Sequence, residues 1–148
     1  MNDLRQRALR LLARREHART ELKKKLAPHA ESEAALEALL DELAARRLLS
    51  DARYAEMRVS SRGGRFGNAR LAQELKSQGV ADGVVGEALA GAGDELARAY
   101  AIWRRKFGTL PADAAERARQ TRYLLYRGFS GDVIRRILRG EGNEQEEE

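Results

Sequence analysis

The segment Leu75-Lys76-Ser77-Gln78-Gly79-Val80-Ala81-Asp82-Gly83-Val84-Val85-Gly86-Glu87-Ala88-Leu89 decides the fold of this chain. Its pattern returns 49 residues later, in the segment that runs from Leu124 through Gly128-Phe129 to Leu138. Leu75, Gly79, Val80, Val84, Val85 and Leu89 stand opposite Leu124, Gly128, Phe129, Val133, Ile134 and Leu138 at one constant offset. Each copy reads as the end of one helix, a glycine stop, and a short second helix whose apolar residues recur at three and four. A weaker match places Glu21-Leu22 beside Glu74-Leu75. The pattern is an internal repeat of about 50 residues.

Working outward from the repeat, no stretch alternates apolar and polar residues over strand length, and Ala and Leu supply most of the apolar set. The fold class expected is all-α, with nine short helices in three tandem three-helix repeats. Asp3, Ser32, Ser50 or Asp51, Asn68, Asp82 and Ser130 are candidate caps, and Pro111 suits the first turn of the eighth helix. The modules are expected at 1–49, 50–92 and 93–140, followed by a disordered acidic tail over 141–148. A lone triplet has little core, so stacking triplets predicts an elongated body. The eighth helix is expected to turn Ala114, Ala118, Thr121 and Leu125 inward.

The 148 residues carry 28 Lys+Arg and 23 Asp+Glu, a net charge of +5 with a pI near 9.9. Glu141, Glu144, Glu146, Glu147 and Glu148 hold five of the acids, so residues 1–140 carry 28 basic and 18 acidic groups, a surplus of ten. A basic body of this size points to an anionic partner, most often nucleic acid. The absence of Cys excludes disulfides, thiolate zinc sites and a Cys nucleophile. His17 and His29 alone do not make a His-rich metal site, and no cofactor is expected. No apolar run is long enough to cross a bilayer. The amino-terminal segment lacks the apolar stretch of a signal peptide, so a soluble, cytoplasmic protein without membrane contact is expected.

Four motifs, in order, resemble the RecX family. They are Ala8-Leu9-Arg10-Leu11-Leu12-Ala13-Arg14-Arg15-Glu16-His17-Ala18-Arg19-Thr20-Glu21-Leu22, Leu48-Leu49-Ser50-Asp51-Ala52-Arg53-Tyr54-Ala55-Glu56, the run from Gly67-Asn68 to Gly79-Val80, and Arg127-Gly128-Phe129-Ser130-Gly131-Asp132-Val133-Ile134-Arg135. The resemblance covers about residues 3–139. It implies three tandem three-helix repeats and a regulator of the RecA recombinase. Such a regulator binds the RecA filament on single-stranded DNA and suppresses filament growth, ATP hydrolysis and strand exchange in DNA repair, recombination and the SOS response. The resemblance implies no enzyme activity. Weak, non-specific binding to duplex DNA is compatible with it, and a monomer is the simplest state. Two positions depart from the family pattern. Ala18 stands where the family often has a capping Ser, a loss of roughly 0.5–2 kcal/mol that predicts fraying of the first module. Asn68-Ala69 stands where many members have bulkier or basic residues.

Candidate contacts to a filament or nucleic acid follow from the charge. The first group is Arg14, Arg15, Arg19, Lys23, Lys24 and Lys25, where only Asp3, Glu16 and Glu21 are acidic within the first 25 residues. The second is the loop Arg62-Gly63-Gly64-Arg65-Phe66-Gly67, whose arginines suit phosphate. Phe66 either stacks on a base or anchors the loop in the core. Arg70 and Lys76 on the fifth helix, Arg104, Arg105 and Lys106 on the seventh, and Arg119 and Arg122 on the eighth complete the set. Trp103 and Tyr123 read as core, and His17 as a junction residue able to cap. The competing class is a helical DNA-binding protein of helix-turn-helix type, with sequence-specific duplex binding. A protein adaptor indifferent to nucleic acid is the third.

Overall fold

The computed structural model describes residues 2–142. Among them are nine α-helices: α1 Asn2–Arg14, α2 Arg19–Leu26, α3 Glu33–Ala45, α4 Asp51–Arg62, α5 Asn68–Ser77, α6 Asp82–Ala90, α7 Glu95–Lys106, α8 Ala114–Tyr126 and α9 Gly131–Leu138. No strand occurs among the described residues. The expected all-α class holds. The acids Glu144, Glu146, Glu147 and Glu148 lie outside the described residues.

Most helix starts are set locally. Ser32 accepts the amide of Ala35, Ser50 that of Arg53 and Ser130 that of Val133. Asp94 caps α7 and Asp113 caps α8, so Pro111 precedes α8 instead of sitting in its first turn. Asn68 and Asp82 are the first residues of their helices, not caps.

The repeat appears as one backbone device used twice. The Gly79 amide donates to the Lys76 carbonyl at 2.9 Å, and the Val80 amide to the Leu75 carbonyl at 3.2 Å. Gly128 and Phe129 repeat this on Leu125 and Leu124 at 2.9 and 3.2 Å. Both glycines are left-handed, at φ +77° and +95°, which closes the helix and turns the next apolar residue inward. Val80 and Phe129 are accordingly buried. In the first module α2 instead runs into a 3-10 turn, Ala27–His29, that contains Pro28. That difference explains why the first copy matches less well.

The chain forms two compact units, Met1–Met57 with Leu75–Ala88, and Arg58–Glu74 with Leu89–Glu148. The first has a core of Ala8, Leu22, Leu26, Leu36, Leu40, Leu43 and Leu49. The second is built on Leu96, Ala99, Ile102, Trp103, Leu124, Phe129, Val133, Ile134, Ile137 and Leu138. In the first unit, the turn at Gly79 sits on Thr20 at the start of α2, and an added Cβ would lie 3.0 Å from the Thr20 Cβ. In the second, the turn at Gly128 sits on the start of α5, with the Arg70 amide nitrogen 2.9 Å from where its Cβ would be. Backbone bonds lock that second joint: Gly67 donates to the Arg127 carbonyl at 2.8 Å and Ala69 to the Gly128 carbonyl at 3.1 Å.

The buried face of α8 differs from the expectation. Gln120 and Leu124 are inside, while Leu125 is 52% exposed. The physical reason is polar. Gln120 accepts the Trp103 indole N–H at 2.8 Å and donates to the Thr109 carbonyl at 3.0 Å, so an amide is buried with partners. The small Ala114 and Ala118 are exposed.

Candidate functional site

The missing cap at Ala18 is supplied from elsewhere. The Asp51 carboxylate, at the start of α4, accepts the Arg19 amide at 2.8 Å, and Glu21 accepts the Ala18 amide at 3.3 Å. Ala18 is fully buried, and the start of α2 is tied to α4, so the amides left by the absent serine cap at Ala18 and Arg19 have partners.

Much of the basic run around α2 is neutralised within its own unit. Arg15 pairs with Glu21 at 3.0 and 2.6 Å. Arg19 reaches Glu37 at 2.8 Å and Asp41 at 2.7 Å, and Lys23 reaches Glu37 at 2.6 Å. Glu37 and Asp41 lie on α3, and local acid sparsity in the sequence says nothing about them. Lys23 and Arg19 together hold the Glu37 carboxyl below the usual carboxylate range. Lys24 is exposed and has no ion pair among the described residues. The Lys25 ammonium donates to His17 Nε2 at 2.9 Å, while His17 Nδ1 lies 3.1 Å from the Arg15 carbonyl. His17 is therefore a buried structural residue, only 2% exposed, and burial lowers its pKa.

In the second unit the loop after α4 is built around Phe66. That ring is buried, which settles its role as an anchor rather than a base-stacking surface. Arginine groups surround it: Arg70 at 4.1 Å from the ring centroid, Arg62 at 4.5 Å, Arg127 at 5.4 Å and Arg65 at 5.7 Å. Arg62 also forms two bonds to Glu74 at 2.8 and 2.7 Å, with Arg58 and Arg70 each 3.6 Å from the same carboxylate. Burial would raise the Glu74 pKa, but these three arginines outweigh it and lower it.

The loop is held in place by α7. Arg98 donates to the Gly63 carbonyl at 3.0 Å, the Phe66 carbonyl at 2.8 Å and the Asn68 side chain at 2.8 Å. Glu95 accepts the Asn68 amide at 2.6 Å. Sequence reasoning did not single out Arg98 or Glu95, because nothing local distinguishes an arginine that binds carbonyls from one that faces water.

Arg65, Arg105, Lys106 and Arg127 line one groove of about 300 Å³ with Ile102 and Tyr123, and no carboxylate lines it. Arg105 is anchored on the Gly64 carbonyl at 3.1 Å. Lys106 and Arg127 lie 5.3 and 5.2 Å from the Tyr123 ring, which meets Phe107 edge-on at 5.4 Å. The Arg127 Nε is buried without a hydrogen-bond partner. Trp103 is core, as expected. Arg104 is exposed beside the Tyr100 hydroxyl. Arg119 is paired with Glu116, Arg122 is exposed, and Lys76 makes a surface pair with Asp82 at 3.6 Å. Among the described residues no cluster of three or more His, Asp or Glu side chains is placed to hold a metal ion. None of the described helices is long and apolar enough to cross a membrane.

Glu141 is held on the end of α9. Its carboxylate pairs with Arg136 at 3.2 Å and Arg139 at 2.7 Å, and its amide donates to the Arg136 carbonyl. Glu141, the first residue of the expected acidic tail, is thus in contact with the end of α9.

A fold of repeated three-helix modules, with a basic groove that no carboxylate lines, defines an all-helical repeat protein. Residues 50–89 match the second three-helix domain of RecX, and residues 93–138 match its third. The chain belongs to the RecX family. It is 55% identical to the regulatory protein RecX of Chromobacterium violaceum, over 93% of this chain and 90% of the relative. It is 52% identical to that of Ralstonia nicotianae, over 93% and 87%. A crystal structure of RecX from Lactobacillus salivarius shares the fold at a TM-score of 0.81, with 21% identity and 94% of both chains covered.

Proposed function

We propose that this protein regulates the RecA recombinase by binding its filament on single-stranded DNA and suppressing ATP hydrolysis and strand exchange. The observation that carries the reading is the match to RecX regulatory proteins over nearly the whole chain. The chemistry of the surface supports it. A strand of nucleic acid presents regularly spaced acceptors, and the groove of Arg65, Arg105, Lys106 and Arg127 presents charged donors without a competing carboxylate. On this reading the protein acts by occupancy as a cytoplasmic monomer without a cofactor, and duplex DNA binds weakly and without sequence preference.

The test is a titration of the protein into a RecA DNA-dependent ATPase assay, with co-sedimentation of filaments in parallel. Falling ATPase and co-sedimentation are expected. An unchanged ATPase together with no co-sedimentation overturns the reading. Tight sequence-specific duplex binding in a gel shift would favour the helix-turn-helix class instead.

A further inference from the structure

The first unit contains arginines that its own acids do not reach. Arg5, Arg15, Arg19, Arg46 and Arg53 each pair with a carboxylate of that unit. Arg7, Arg10 and Arg14 are exposed and have no ion pair or hydrogen bond from their side chains among the described residues. They are spaced i, i+3 and i+7, which puts them on one face of α1, with about 10 Å between the first and last at 1.5 Å per residue. All three line a groove of about 310 Å³ whose opposite wall is Lys25 and His29 and whose remaining lining is Leu11 and Leu26.

We propose that this groove binds the phosphodiester backbone of a single-stranded nucleic acid. The inference rests on the functional reading above and assigns the nucleic-acid contact to residues that the sequence reading passed over, Arg7 and Arg10 with His29. The lining decides between possible anions. His29 apart, no side chain in it carries a hydrogen-bond acceptor. An acidic peptide would bring amide N–H groups and leave them without acceptors. A phosphodiester backbone brings only acceptors, and each guanidinium can take two phosphate oxygens at once. No Phe, Tyr or Trp lines the groove, and its donors are cations suited to phosphate, so the groove reads backbone rather than sequence. Lys25 is pre-positioned, because its ammonium already donates to the buried His17.

The experiment is fluorescence anisotropy of a dye-labelled oligothymidylate with the full chain, without RecA, across a salt series. Arg7→Gln/Arg10→Gln/Arg14→Gln is compared with Arg46→Gln/Arg47→Gln/Arg117→Gln, three exposed arginines outside both grooves. The groove variant is expected to bind at least tenfold more weakly than the control variant. Its slope of log affinity against log salt is expected to flatten by about 2, since three phosphate contacts contribute about 0.7 each on a single strand. Equal losses in the two variants, or an unchanged slope, overturn the proposal. Displacement of the oligonucleotide by polyglutamate at equal charge also overturns it, and makes an acidic protein the occupant. If the glutamine variant does not fold, Arg7→Lys/Arg10→Lys/Arg14→Lys keeps the charge and removes the fork. Weaker binding at an unchanged slope is then expected, and wild-type affinity overturns the proposal. Because RecA is absent, this result stands or falls apart from the ATPase reading.

Discussion

Gly128 stands directly on the backbone of Arg70, at φ +95° with no room for a Cβ. Gly79, its counterpart in the repeat, stands on the side chain of Thr20. Each left-handed glycine thus serves twice. It ends the second helix of its own module, and it is the contact point for the second helix of the module before.

Gly128→Ala is therefore expected to destabilise the protein by about 1–3 kcal/mol, because strain and steric overlap add. Gly86→Ala, in the interior of α6 with open space around it, is expected to stabilise it by roughly 0.5–1 kcal/mol. Urea unfolding of both variants checks the pair, and similar effects from the two would refute the joint.

Arg98→Ala removes three hydrogen bonds from the loop at 63–68 and is expected to cost about 2–3 kcal/mol. Arg98→Lys is not expected to rescue it, since a single ammonium cannot reach three diverging acceptors. Hydrogen exchange of the amides from Gly63 to Ala69, with thermal unfolding, tests this.

The start of α2 depends on Asp51. Asp51→Ala is expected to cost about 1 kcal/mol, and Ala18→Ser in that background is expected to recover part of it by restoring a local cap. Additive effects of the two substitutions in chemical denaturation would show that they do not act on the same helix end.

His17 is neutral where it accepts from Lys25, and burial first, then the charges of Arg15 and Lys25, lower its pKa below 6.5. Between its folded and unfolded pKa values the unfolded chain binds the extra proton, so stability rises with pH there. Stability is expected to fall as pH drops below about 6.5, and to level off once pH is below the folded value. In His17→Gln that part of the pH dependence should vanish. The Glu21 carboxyl contributes at lower pH: burial would raise its pKa, but Arg15 outweighs burial and lowers it.

Because Glu141 is paired with Arg136 and Arg139 at the end of α9, the informative truncation falls after Gly142. Removing residues 143–148 takes away four glutamates. It is expected to strengthen binding to single-stranded DNA at low salt and to have little effect at high salt. Equal affinities at low salt would leave the tail as a solubility feature.

What the sequence determined by itself is the short-range part. The constant offset of the repeat, the all-helical class, the caps at Ser32 and Ser130, the glycine stops at Gly79 and Gly128, and the buried Val133, Ile134, Ile137 and Leu138 follow from propensities acting within a few residues. Tertiary structure decided where charge remains available. Arg5 is neutralised by Glu42, and Arg19 by Glu37 and Asp41, residues 18 to 37 positions away, whereas Arg7, Arg10 and Arg14 find no such partner among the described residues. It also turned Gln120 inward to meet Trp103, satisfied the first amide of α2 from Asp51, and put Arg98 on the loop around Phe66. The reason is the same in each case. A helix is specified by neighbours along the chain, but a charge or an amide is satisfied by whatever the packed fold brings within about 3 Å.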